Sequence, residues 1–357
     1  MKRLGKSEHL LDLIQHPAFT VIHGKISHVN QAARAMHIME ETAIQTLLPE
    51  NLEAYLNFQG ECLYLTVQIF EISCGASITR NGKTDIFILD DPEGNDQLAA
   101  LELAGNQLRI PLTNLFALLD THFTGDNLKD IEMIRHVSQL RRNLTSIQRS
   151  AQNMSDCLNW AKKAVTKTAG DLNQVFKETM EKASSLLSQK DIFIRYTYPQ
   201  QPVITMFNEE MVRRALYNMI SNAAKYSVLD PLIEADLSVD GDKAVISVQS
   251  PCCEEEQNLF FNAFANYQRK PSLEDGRLGI GLGMTYIRSA ATGHNGTCLI
   301  DRPEGKKVRV TITMQLQQPA PSTKLRNHMS KLSNYAGGVD LALLELADIL
   351  PSHCYDQ

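Results

Sequence analysis

The chain is 357 residues long, with 43% hydrophobic and 21% charged residues, a globular balance that excludes a fibrous repeat or a wholly disordered polypeptide. A net charge of −6 argues against non-specific nucleic-acid binding and against adsorption to anionic lipid, both of which need positive surface. The seven cysteines include no C-x-x-C pair, so free thiols in a reducing compartment are expected rather than a disulfide framework.

Residues 8–91 read as a small α+β unit. Two short strands across residues 19–30 turn at His23-Gly24, a helix covers 31–39, and three more strands cover 62–69, 71–79 and 84–89. Asn81-Gly82 joins the last two as a hairpin turn, since both residues tolerate the positive φ such turns need. Pro17-Ala18-Phe19-Thr20-Val21-Ile22, followed by Val29-Asn30-Gln31-Ala32-Ala33, resembles the start of a PAS domain. The resemblance implies a sensing unit; His16, His23 and His28 read as surface residues rather than as haem ligands.

Residues 96–167 carry the most sustained periodicity. Leu98, Leu101, Gly105, Leu108, Leu112, Leu115 and Leu119 alternate steps of three and four. After the polar turn 124–127 the spacing resumes at Met133, Val137, Leu140, Leu144, Ile147, Ala151, Met154, Leu158, Ala161 and Val165. Two such seams predict a helical hairpin. A lone hairpin leaves part of each narrow apolar stripe in water, so two hairpins are expected to pair as a four-helix bundle, making a homodimer.

Residues 168–317 alternate helices (172–188, 209–226, 286–292) with strands (192–198, 244–249, 308–316), which predicts a two-layer α/β sandwich. Residues 318–357 begin with a Pro-Ala-Pro linker and read as a tail of two short helices, near 323–333 and 340–350, with Leu341, Leu344 and Ile349 placed to dock. The run 341–350 contains Glu345 and Asp348, and residues 1–9 are basic without a following apolar stretch. Neither a membrane span nor a signal peptide is therefore expected, and the chain reads as a cytoplasmic, multidomain α+β protein.

Within the third region Asn218 and Asn222 lie four residues apart, hence on one helix face, and Lys225 follows. Amide oxygens suit a hard cation, which makes Asn222 a candidate Mg²⁺ ligand, and a lysine suits phosphate. The plain alternative is a pair of surface amides. Further on, Gly276-Arg277-Leu278-Gly279-Ile280-Gly281-Leu282-Gly283-Met284 leads into a helix. Such glycines let backbone N–H groups approach phosphate ahead of a helix N-terminus.

Together and in this order, the two segments resemble the N box and the glycine-rich G2 box of the ATPase domain of sensor histidine kinases, the Bergerat-fold family. Phe261-Asn262-Ala263-Phe264 matches that family's F box, and Gly293-His294-Asn295-Gly296-Thr297 the segment after the G2 helix. The resemblance implies a PAS-like sensor domain (8–91), a dimerising helical hairpin (96–167), an ATPase-like α/β sandwich (168–317) and a helical tail (318–357). It also implies an ATP site built from Asn218, Asn222, Lys225, Tyr226, Gly279, Gly281 and Gly283.

The chain departs from the family pattern twice. The family's phosphoaccepting histidine stands in a Ser-His-Glu-Leu-Arg-Thr-Pro-Leu motif, whereas this chain reads Gly105-Asn106-Gln107-Leu108-Arg109-Ile110-Pro111-Leu112. Asn106 takes the acceptor position, and an amide nitrogen has no basic lone pair with which to attack a γ-phosphoryl group. Gln107 replaces the acidic neighbour, and Ile110 the polar residue that positions water. The family's Asp-x-Gly-x-Gly box is also missing: after the strand the chain runs Gln249-Ser250-Pro251-Cys252-Cys253-Glu254-Glu255-Glu256. The absent aspartate would accept a charge-assisted hydrogen bond from adenine, worth about 1.5–3 kcal/mol. Ser250 is left as a weaker acceptor.

No catalytic residue is therefore expected in this chain. The leading reading is a non-catalytic homologue in two-component signalling, a homodimer that occupies a response regulator or pairs with an active histidine kinase. The alternative is an enzyme that binds ATP and phosphorylates a histidine on a partner chain. A third reading is a ligand-binding PAS protein with a C-terminal dimer scaffold. ATP and Mg²⁺ are the cofactors the resemblance implies, and the missing aspartate counts against both.

Overall fold

The computed structural model describes residues 11–90 apart from 13, 15 and 71, scattered positions between 104 and 119, and residues 131–162, 165–226, 231–252, 282–303, 307–320 and 340–355. The first unit contributes β1 (Ala18–Ile22), β2 (Lys25–Val29), α1 (Gln31–Ala35), α2 (Leu52–Asn57), β3 (Cys62–Ile69), β4 (Ile72–Asn81) and β5 (Thr84–Leu89). Its strands pair antiparallel in the order β2-β1-β5-β4-β3. The helix expected to reach residue 39 stops at Ala35, because His37 takes a φ of 60°, a conformation that ends a helix. Asn30 explains why the start of α1 is fixed. Its buried side chain accepts the N–H groups of Ala33 (2.9 Å) and Ala18 (3.0 Å) and donates to the His16 carbonyl (2.8 Å). The core behind it is apolar, with Phe19 stacked on Phe87 at 4.8 Å and Leu63, Leu65, Val67 and Ile78 around them.

The helix expected to be the second of the hairpin, α3 (Ile131–Lys162), is one continuous element. Its predicted seam divides in two. Val137, Leu144 and Ala151 are buried, and Leu144 and Ala151 pack with Leu112, Phe116 and Leu119. Met133, Leu140 and Ile147, interleaved with them, are exposed, as are Leu108 and Leu115.

The third region contains β6 (Thr168–Asp171), α4 (Leu172–Leu187), β7 (Phe193–Thr197), β8 (Ile204–Phe207), α5 (Glu209–Tyr226), β9 (Leu232–Asp240), β10 (Lys243–Pro251), α6 (Leu282–Gly293), β11 (Cys298–Asp301) and β12 (Lys307–Gln315). Its main strands run β11-β12-β10-β9-β7, antiparallel except for the parallel β7–β9 pair, while β6 and β8 pair separately. Alternate residues Ile233, Ala235 and Leu237 on β9, Ala244, Ile246 and Val248 on β10, and Val310 and Ile312 on β12 face α4, α5 and α6 in one core. This is a two-layer arrangement. β9 lies outside the expected strands, because its outward residues Glu234 and Asp236 dilute the apolar signal.

The sequence reads as separate units, yet β3 and β11 pair antiparallel, Cys62 opposite Ile300 and Tyr64 opposite Cys298, so both sheets fuse into one of ten strands. Strand alternation sends Cys62 and Tyr64 into the third region's core and Leu63 and Leu65 into the first unit's. Gly60 permits the approach, since a Cβ there would stand 2.6 Å from Leu299 Cδ1. Arg288 of α6 lies over the Tyr64 ring at 4.7 Å, and Arg302 pairs with Glu61 at 3.2 Å.

The tail returns to this core. α7 (Leu341–Glu345) is shorter than the predicted 340–350 helix and gives way to turns and a 3-10 turn at Ser352–Tyr355. The predicted helix at 323–333 lies outside the described residues. Asp340 caps α7 by accepting the Ala342 N–H at 2.8 Å. Leu343, Leu346, Ile349 and Leu350 are buried in the third region's core, each contributing roughly 1.5–3 kcal/mol before ordering costs.

Candidate functional site

The site forms around α5. Asn208 fixes its start by accepting the Met211 N–H at 2.9 Å, and buried Met211, Val212, Ala215, Leu216, Met219 and Ile220 seat it on the core. That packing leaves Asn218, Asn222 and Lys225 on a second face. Asn222 lines a small apolar slot with Met219, Ala223, Val248, Ser250, Cys252, Val308 and Val310. Ser250, the weaker acceptor that the sequence leaves, is therefore part of this slot. The Asn222 amide also points at Met284 Sδ, 3.6 Å away.

One turn back, Asn218 is fully buried rather than on the surface, as a plain helix-face amide would be. Its Nδ2 donates to the Arg214 carbonyl at 2.8 Å and to Glu345 Oε2 at 3.2 Å, while its Oδ1 accepts from Arg149 at 3.1 Å. Gly283 fits against it, because a Cβ at 283 would lie 2.9 Å from Asn218 Oδ1. The last glycine of the glycine-rich segment thus serves close packing of α6 on α5.

The partners of Asn218 come from distant parts of the chain. Arg149 of α3 donates to Glu345 at 3.1 Å and to Asp348 at 2.8 Å. Arg214, fully buried, donates to Glu345 at 2.8 Å and to Asn153 at 3.0 Å. Lys225 reaches Asp348 at 2.7 Å. Ser146 donates to Asp348 at 2.9 Å, and Arg142 donates to the Ala347 and Asp348 carbonyls at 3.3 Å each. Arg142, Ser146 and Arg149 share one face of α3 at helical spacing, so α3, the tail and α5 close into one polar clasp.

The electrostatics follow from burial. For Asp348 burial opposes ionisation, but Arg149 and Lys225 outweigh it and bring the carboxyl down to about 2. For Lys225 burial lowers the ammonium below the ordinary lysine range, with Asp348 restoring part of the loss. His294, in the segment after α6, is also buried. Its Nε2 accepts the Asn208 N–H at 3.0 Å, so Nδ1 carries the proton and donates to the Ala290 carbonyl at 2.6 Å. Burial pushes it down to about 4. It ties the end of α6 to the start of α5 as a neutral ring.

Of the residues expected at the site, Asn218, Asn222, Lys225 and Gly283 come together on α5 and α6. Gly279 and Gly281, the Tyr226 side chain, and Asn106, Gln107 and Ile110 lie outside the described residues. Among the described residues no group of three or more His, Cys, Asp or Glu side chains could hold a metal, so Mg²⁺ has no ready-made acidic site there. Sequence reasoning missed Arg149, Arg214, Glu345 and Asp348. The signal available was two acids three apart inside an apolar run, which need cationic partners once that run is buried.

Residues 207–318 match the model of the histidine kinase-, DNA gyrase B- and HSP90-like ATPase family. Over 321 residues, covering 85% of this chain and 78% of the relative, the sequence is 24% identical to the adaptive-response sensory kinase SasA of Crocosphaera subtropica. It is 24% identical over 215 residues to the sensor histidine kinase YcbM of Bacillus subtilis, covering 59% of this chain and 68% of that one. Among solved structures it is similar to full-length ShkA in complex with AMPPNP, at 18% identity and a TM-score of 0.48, over 63% of this chain and 47% of that one. The chain thus spans about half of ShkA. The ATPase match thus lies on the helix that carries Asn218, Asn222 and Lys225 and puts a domain of the histidine kinase-, DNA gyrase B- and HSP90-like ATPase family at residues 207–318, and the relatives whose similarity extends beyond it are sensor histidine kinases.

Proposed function

We propose that this protein is a two-component signalling homodimer that binds nucleotide but does not phosphorylate itself. The observation that carries the reading is the amide at position 106, in a register fixed by Leu108, Arg109, Pro111 and Leu112. An amide cannot act as the nucleophile that imidazole supplies. The exposed stripe of Met133, Leu140 and Ile147 on α3 supports the dimer, because seven-residue repeats left in water are what a second hairpin covers. The first unit serves as the PAS-like sensor, and the partner is a response regulator or an active histidine kinase, in keeping with a cytoplasmic protein. Among the described residues no helix is long and apolar enough to cross a membrane.

The slot fits a nucleotide base in its chemistry. Met219, Ala223, Val248, Val308 and Val310 offer apolar walls, and among the described residues Ser250 brings a hydroxyl to its lining. Asn218, Asn222 and Lys225 would hold the phosphates and an accompanying Mg²⁺. When bound, ATP would supply a transferable phosphoryl group and a charge-bearing ligand; the chain's own residues supply binding and orientation.

Incubation of the purified chain with ATP labelled at the γ-phosphate should leave no acid-labile phosphate on it. A phosphoramidate on any histidine of this chain overturns the reading. The retained slot and Lys225 favour a second reading, in which the chain phosphorylates a histidine on another protein. Its test is to add a dimerisation-competent histidine kinase with a disabled ATPase domain, and label on that partner would establish it.

A further inference from the structure

The two ends of the candidate nucleotide site differ in what covers them. The slot at Asn222 is lined by apolar side chains and Ser250. The adjoining end, where the same helix presents Asn218 and Lys225, already holds two carboxylates of the chain itself. Glu345 sits on Asn218 and Arg149, and Asp348 on Lys225 and Arg149, at 2.7–3.2 Å. A carboxylate accepts from amide, guanidinium and ammonium donors through the same kind of oxygen that a phosphate offers. Gly283 lies against both amides, since a Cβ at 283 would stand 2.9 Å from Asn218 Oδ1 and 4.0 Å from Asn222 Oδ1, so the two ends adjoin.

We propose that residues 340–355 are a built-in lock on this site: Glu345 and Asp348 occupy the donors that would take a nucleotide's phosphates, so tail docking and polyphosphate binding exclude each other. The proposal rests on the nucleotide reading above and adds its regulation. The lock is held from two sides. Leu343, Leu346, Ile349 and Leu350 anchor it in the core, and Arg142, Ser146 and Arg149 grip it from α3. Any partner or signal that shifts α3 against α5 therefore acts on the lock directly. Adenosine carries no phosphate and is indifferent to the lock, whereas ATP binds poorly because two carboxylates meet its phosphates.

The test compares adenosine and Mg-ATP binding by calorimetry on the full chain and on two full-length variants. D348N removes one carboxylate and leaves the apolar anchors in place; L346D undocks the tail. The expected result is adenosine affinity unchanged in D348N, with ATP affinity raised at least threefold in D348N and at least tenfold in L346D. Adenosine binding also reports that the slot remains folded in each variant. ATP affinity that stays equal in all proteins that bind adenosine overturns the lock and leaves the nucleotide reading standing. Absence of heat from both ligands in every protein, including D348N, overturns the nucleotide reading and the lock with it.

Discussion

The ATPase-like unit is attached to the rest of the molecule along two borders, and they are built from opposite chemistry. At the β3–β11 border the bonds are backbone to backbone, the side chains alternate into two apolar cores, and the charged pair, Arg302 with Glu61, stands at the partly exposed edge. At the clasp between α3, α5 and the tail, the bonds run between the buried ions Arg149, Arg214 and Glu345, with Asp348 at the clasp's partly exposed end. A ladder of peptide groups offers no ionic donors for a soluble anion to take and depends little on charge. A cluster of buried ions is held by donors that another anion can take, and losing one member leaves the others exposed to the full cost of burial. The first border is suited to be permanent, the second to be opened.

Mutations should separate the two borders cleanly. E345A is expected to have the largest effect, about 3–5 kcal/mol of lost stability, because it strips a carboxylate from both Arg149 and fully buried Arg214. Urea denaturation of the full chain measures it, and a loss under about 1 kcal/mol would mean that the clasp does not depend on its buried ions. The interior of the unit supplies the next effect. His294 has its folded value near 4 against an unfolded value of about 6.5. The neutral ring is the folded form, so stability is fully present above the unfolded value. It falls as acid protonates the unfolded chain first, by about 3 kcal/mol between pH 6.5 and 4. Stability curves across that range should show the drop, and H294N should flatten it.

The β3–β11 border should respond to shape rather than charge. G60A places a methyl against Leu299 and the Ile300 carbonyl and is expected to cost about 1–3 kcal/mol. E61Q removes an edge ion pair with Arg302 and should change stability by less than about 1 kcal/mol. If E61Q in practice matched E345A, the contrast between the borders would be lost.

How much of this was readable beforehand depends on the range of the interaction. Helix α5 appears where its sequence pattern put it, because its capping Asn208 and its apolar spacing are local. The α3 seam was likewise local, although its division into a covered and an open stripe needed the partner helix in place. Of the candidate site, Asn218, Asn222, Lys225 and Gly283 were legible from spacing, and α5 and α6 bring them close together. β9 was hidden by Glu234 and Asp236, which point outward and pair with Lys307, Gln249 and Arg195 or bond to Thr197. The clasp was illegible for a deeper reason. Arg149 and Glu345 lie 196 residues apart, and two acids in an apolar run look, in one dimension, like a solvated interruption. The fusion of the two sheets was equally silent, since nothing in Cys62–Ile69 marks which neighbour its free edge will meet.

The claim that the chain's own tail fills the phosphate end of its nucleotide site is tested most directly by amide hydrogen exchange. The amides of Leu344, Leu346, Ile349 and Leu350 are all hydrogen-bonded within the docked tail, so they report its release. Saturating Mg-ATP should speed their exchange while slowing that of the amides around Val248 and Ser250, and adenosine should produce only the second change. Tail amides that keep their protection while the slot amides gain it under ATP would contradict the account.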